Sequence, residues 1–127
     1  MNDLQGIESI KIMVDYFYAN VRRDDLLGPV FSAIIVGDWQ PHLNKMYDFW
    51  NAALFGVPGF RGNPFAKHMP LPINSQHFIR WLKLFNQTVD RHFCGPVADD
   101  AKKRAEIMSI LFQQKLQAAN APTKVIF

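Results

Sequence analysis

The chain has almost no cysteine: Cys94 stands alone in 127 residues. One thiol excludes an intrachain disulfide framework, and it excludes a zinc or iron–sulfur centre built on several thiolates. Strand signals are equally scarce. The one short apolar run, Ala33-Ile34-Ile35-Val36, extends a preceding helix as readily as it forms a strand. No stretch of about eighteen apolar residues exists. Asp3, Glu8, Lys11 and Asp15 scatter charge through the opening segment, which argues against a signal peptide or a membrane span there. The phosphate-cradling patterns GxGxxG and GxxxxGK[ST], the nucleophile pattern GxSxG and the zinc pattern HExxH are all missing. The expectation is a soluble cytoplasmic protein with no membrane partner.

Neither sign of charge dominates: 14 Lys+Arg face 11 Asp+Glu, a net +3. The basic residues are dispersed, adjacent only at Arg22-Arg23 and at residues 102–104. Without a basic stripe or a known binding motif, no nucleic-acid partner is expected.

Aromatic side chains are what the chain has in plenty. Eleven Phe, three Trp and three Tyr make 13% of it, within an ordinary 49% hydrophobic content. Either the core is unusually bulky or the chain wraps something flat and apolar. The length fits one domain, taken as residues 1–127 with a core over about 4–118.

Period 3.6 runs through the sequence. Ile7, Ile10, Val14, Phe17 and Val21 form one face of a helix over about residues 4–22. Gly28-Pro29 keeps any helix over residues 24–31 short. Asp38 is a good N-cap for a second long helix with Pro41 in its first turn, and Gly56 ends it. His42, Met46, Phe49, Trp50 and Ala53 share a face of that helix. Residues 56–72 then hold Gly56, Gly59, Gly62, Pro58, Pro64, Pro70 and Pro72, leaving room for only a turn or two of helix over 64–69. A third long helix starts at the Asn74-Ser75 caps and runs to about Phe93, with Phe78, Trp81, Leu82, Phe85 and Val89 inward. Gly95-Pro96 breaks it. A fourth covers about residues 98–118, with Ala101, Ala105, Met108, Phe112 and Leu116 inward. The tail from Asn120 has no period and is expected to be loose. The fold class is all-α.

Four histidines are the candidates for chemistry. None pairs at a zinc spacing, and His92 near Cys94 faces another direction of its helix. Asp99 and Asp100 suit the positive end of the fourth helix. His42 and His68 come from separate helical segments 26 residues apart, enough chain to finish a helix and return across a flat ligand. A haem needs such parts: an imidazole for iron, an apolar sleeve, and a polar group beside the open coordination position.

Several stretches resemble the third group of the truncated haemoglobin family. They are Phe17-Tyr18-Ala19-Asn20-Val21-Arg22, Leu27-Gly28-Pro29-Val30-Phe31, Asp38-Trp39-Gln40-Pro41-His42, Phe49-Trp50, the run Gly62-Asn63-Pro64-Phe65-Ala66-Lys67-His68-Met69-Pro70-Leu71-Pro72, and His77-Phe78-Ile79-Arg80-Trp81-Leu82-Lys83-Leu84-Phe85. They fall in family order over about residues 7–118. The resemblance implies a short globin fold, two helices over two, around one haem b (iron protoporphyrin IX). It implies that His68 is the proximal iron ligand, in preference to His77, which lies in the HFxRW stretch and either hydrogen-bonds locally or meets a haem propionate. On the distal side it places Tyr18, His42, Met46, Trp50 and Trp81, with Phe31 packed on the haem plane. Tyr18 and Trp81 are donors to a diatomic ligand. Trp50 walls the pocket, and Met46 crowds its iron-facing side. His42 could donate to the ligand, swing as a gate, or bond the iron, and the residues do not choose.

The functions this implies are reversible binding of O2, CO, NO or another diatomic, with oxygen transport the familiar outcome. The alternative is a redox enzyme on the same haem, a nitric oxide dioxygenase or a peroxidase-like catalyst, supplied by a separate reductase. A cofactor-free helical interaction module is the third reading.

Overall fold

The computed structural model describes residues 1–60 and 73–119, with side chains as far as 115. The expected turn over residues 64–69, His68, the inward placing of Leu116 and the loose tail lie outside the described residues.

Five helices follow in order: α1 Gly6–Arg23, α2 Leu27–Ile34, α3 Gln40–Phe55, α4 Ser75–His92 and α5 Pro96–Ala119. Among the described residues there is no strand. α1 packs on α3, α4 packs on α5, and α1 also lies against α4, so two helix pairs stack over one another. α2 is the short helix foreseen around Gly28-Pro29, and it takes in Ala33 and Ile34 as the alternative reading of that run allowed. Pro29 sits in its first turn, where no backbone donor is lost.

The apolar faces are those the periodicity picks out. Ile10, Val14, Phe17 and Val21 are buried on α1, Phe78, Trp81, Phe85 and Val89 on α4, and Ala101, Ala105 and Phe112 on α5. Ile7, Leu82, Ala53 and Met108 are only partly covered at the margin. The small Ala101 and Ala105 suit a close approach of α5 to α4, the pairing on which large rings from α4 then press.

The helix ends depart from expectation by a residue or two, each for a visible reason. Asp38 does not occupy the N-cap of α3, which is Trp39; its Oδ1 accepts from the Gln40 backbone N–H at 3.0 Å from one residue further out. Gly56 closes α3 in the left-handed conformation, as read. Asn74 caps α4 as read, its Oδ1 accepting from the Gln76 N–H at 2.9 Å.

The start of α5 is the largest surprise. Its cap comes from the other end of the chain: the Asp3 carboxylate accepts from the Val97 N–H at 2.9 Å and the Ala98 N–H at 2.8 Å, as well as from its own neighbour Leu4 at 2.8 Å. The N-cap position itself is Gly95, at φ 137°, and a Cβ there would lie 2.5 Å from Asp3 Oδ2. Glycine therefore clears the space in which a remote residue caps the helix, and Leu4 beside it is buried in the core. Burial pushes the Asp3 carboxyl pKa up, but the three backbone donors outweigh it and hold it below the usual aspartate value.

A group held below its unfolded pKa contributes stability that is present above the unfolded value and is lost as pH falls through the folded one. Asp3→Ala is expected to lower stability at neutral pH by about 1–2 kcal/mol, the usual cost of losing a helix cap. Denaturant unfolding should show that gap closing below about pH 4, near the ordinary aspartate pKa. A gap independent of pH would mean that the carboxylate's charge does not carry the effect.

Candidate functional site

Adjacent positions on α1 carry Phe17 and Tyr18, both almost fully buried. Neighbouring helix residues point about 100° apart, so the two rings serve different clusters. Phe17 meets Trp81 edge-on at 5.6 Å and Phe85 edge-on at 5.3 Å. Those α4 rings belong to a stack: Trp81 lies on Phe85 at 5.8 Å, and Phe85 lies on Trp50 of α3 at 5.0 Å. Trp50 thus belongs to the ring stack that joins α3 to α4, with Phe49 edge-on beside it at 5.4 Å.

Tyr18 faces the other cluster. Its ring meets His42 of α3 edge-on at 4.9 Å and Phe31 of α2 at 6.1 Å. Trp39, at the end of the α2–α3 connection, stands 6.2 Å from Tyr18 and 5.9 Å from His42. Burial alone pushes the Tyr18 phenol far above its ordinary pKa, so the hydroxyl keeps its proton and stays a donor. His42 is only half-buried as a residue, yet its Nε2 is shut off from solvent, as is the Trp81 Nε1. Tyr18 and His42 therefore place an O–H and a ring nitrogen in one aromatic cluster, while the Trp81 indole lies in the neighbouring one with Phe17 and Phe85. Three helices supply them. Met46, one turn after His42, is buried on the same helix.

His77 turns out to have a local role. The Asn74 backbone N–H donates to its Nδ1 at 3.1 Å, completing a reciprocal capping box with the Asn74 side chain. Burial lowers its pKa, consistent with a neutral ring that accepts at Nδ1. This is the local bond the sequence reading allowed. His68 lies outside the described residues.

Several supporting residues carried no role in the sequence reading. Asp24 accepts from the Leu26 and Leu27 N–H groups at 3.0 and 2.9 Å, and from Arg80 Nη1 at 2.6 Å. It thereby caps the helix that carries Phe31 and ties it to the helix that carries Trp81. Burial raises the Asp24 pKa, but those donors, with Arg80's charge, bring it below the ordinary value. Tyr47 of α3 donates its hydroxyl to Asp15 of α1, fixing the pair of helices that carry Tyr18 and His42. Asn20 Nδ2 donates to the buried Thr88 Oγ1 at 3.2 Å, pinning α1 to α4. The Arg22 guanidinium lies over the Trp39 ring at 4.6 Å. Only Asp24, in the turn before a helix, left a signal that could have been read locally.

Two helix pairs stack over one another, with Tyr18 and Trp81 buried among rings. Comparison with known proteins is specific. The pattern of the bacterial-like globin family matches residues 2–118. A group 3 truncated hemoglobin of Campylobacter jejuni is 35% identical over 113 residues, covering 86% of this chain and 89% of that protein. The crystal structure of a group III truncated hemoglobin from Campylobacter jejuni superposes with a TM-score of 0.83 at 32% identity, covering 91% of this chain and 95% of that one. The chain belongs to the bacterial-like globin family and has the truncated-globin fold. Membership implies haem binding and a small diatomic ligand. None of its described helices is long and apolar enough to cross a membrane.

The Asp24–Arg80 pair should be measurable directly. A double-mutant cycle of Asp24→Asn and Arg80→Gln is expected to give a coupling of about 1 kcal/mol, the upper end for a part-exposed pair. Coupling near zero would mean that the contact does not hold α2 to α4.

Proposed function

We propose that the chain binds haem b with His68 as the axial iron ligand, and that Tyr18, His42 and Trp81 face a diatomic ligand on the opposite side. The observation that carries this reading is the contact of Tyr18 with His42 across two helices, their rings meeting at 4.9 Å, with Tyr18 and Trp81 each only 2% exposed. The donor set suits the group: Phe31, Met46 and Trp50 supply the apolar sleeve, and His77 at the head of α4 offers a nitrogen to a propionate.

Haem supplies an iron centre that takes up O2, CO or NO. The chain's own residues then set affinity. Tyr18 gives a hydrogen bond from a phenol that burial keeps protonated. Trp81 can only donate, because an indole nitrogen has no acceptor pair in the ring plane. The rings around them exclude water, which would otherwise compete for the same ligand atoms. The stack of Trp81 on Phe85 and Trp50 holds the indole in one orientation. Binding and retention of a polarised diatomic is the function this arrangement fits best.

Removing the phenol oxygen tests it. A hydrogen bond to a charged or strongly polarised partner is worth roughly 1.5–3 kcal/mol, about ten- to hundredfold in affinity. Tyr18→Phe should raise the O2 dissociation rate of the haem-loaded protein by about that factor, read by stopped-flow displacement with CO. An unchanged rate would remove Tyr18 from the ligand's hydrogen-bond shell.

A further inference from the structure

Between α2 and α3 the chain runs through residues 35–39, and among the described residues these two helices do not pack on each other. Their side of the pocket is closed by side chains. The Tyr18 ring bridges Phe31 of α2 and His42 of α3. Trp39 covers that group: its ring is 5.9 Å from His42 and nearly perpendicular to it, and 6.2 Å from Tyr18. Trp39 is 8% exposed, although it stands at the end of a connection in which Val36 is 84% exposed. The cover over Trp39 is the Arg22 guanidinium, 4.6 Å from the ring centroid, on a residue that is itself exposed. From inside outward the order is thus the distal rings, Trp39, Arg22, water.

We infer that Arg22 latches Trp39 over the distal pocket, and that this latch sets how fast a small ligand enters. The inference rests on the proposed haem-pocket reading. The Trp39 backbone is tied to α3 through its carbonyl, which accepts from the Leu43 N–H at 3.0 Å, so any movement belongs to the ring. Its ring can move only by giving up the cation on its outer face and the edge contacts on its inner face. His42, half-buried with Nε2 inward, cannot turn toward solvent on this side while Trp39 stands against it. Arg22 and Trp39 are therefore positioning residues that act on ligand access through His42.

A cation over an aromatic ring at an exposed site is worth a two- to fivefold change in an equilibrium. When ligand passes only through the open form, the association rate follows the open fraction. CO rebinding after flash photolysis of the haem-loaded protein reads that rate. Arg22→Gln should raise the bimolecular rate constant by about two- to fivefold. Arg22→Lys, which restores a cation, should return it most of the way to the parent. Trp39→Ala should raise it by about tenfold, from the loss of two ring contacts.

Arg22 is exposed, so its variants are expected to be about as stable as the parent, and they carry the test even if Trp39→Ala fails to fold. Equal rates in the parent and Arg22→Gln would overturn the latch, as would an Arg22→Lys rate equal to that of Arg22→Gln. Both results would leave haem binding intact. Failure of the parent chain to take up hemin would instead overturn the functional reading, and the latch with it.

Discussion

One turn of α1 has to serve two purposes, and the rest of the pocket follows from how it does so. Phe17 and Tyr18 are consecutive, and the helix sends their side chains in different directions. Phe17 locks into the Trp81–Phe85–Trp50 stack. Tyr18 is carried at a fixed angle from that anchor toward His42 and Phe31. A phenol placed by a loop would lose its direction with every loop motion; this one is tied to a packed core, where rings adjust only by steps. Deep burial keeps its hydroxyl a donor, and the core supplies that burial.

Polar contacts around this centre hold the helices in register rather than doing chemistry. Asp24 ties α2 to α4 through Arg80, Tyr47 ties α3 to α1 through Asp15, and Asn20 ties α1 to α4 through Thr88. Each joins two elements that carry a pocket ring. Asp3 does similar service at a distance, anchoring the N-terminal arm to the head of α5 so that Leu4 can be buried. Such pairs contribute modestly one by one. Their value lies in fixing which way each helix is turned about its axis, since a small rotation would turn Tyr18 or Trp81 out of the core.

The sequence made the helices readable because a long apolar stripe at period 3.6 is a local signal. The stripes of α1, α4 and α5 were visible for that reason, as were the Asn74 cap and the Gly56 stop. Periodicity also put Trp81 on the buried face of α4 and His42 on the face of α3 that carries Met46 and Trp50; Tyr18, which is buried, was singled out through the family resemblance. What periodicity could not carry were contacts between residues far apart in the chain. The Asp3 cap crosses 94 residues to Val97, and the Asp24–Arg80 pair crosses 56. Neither leaves a pattern, because any acidic residue near any basic one looks the same until the helices are packed. His77 shows the converse case. A histidine three residues after Asn74 can complete a capping box, a local feature that the presence of other histidine roles obscured.

The central claim is that this ring-lined slot is built for haem and that the imidazole at position 68 bonds its iron. Titrating the purified apoprotein with hemin, and following the Soret band in the parent, His68→Ala and His77→Ala, tests it most directly. The account predicts saturable uptake at one equivalent by the parent. It further predicts an iron–histidine stretching signature in the reduced parent and in His77→Ala, and the loss of that signature in His68→Ala. No Soret band in the parent, or an iron–histidine signature that survives the loss of His68, would contradict it.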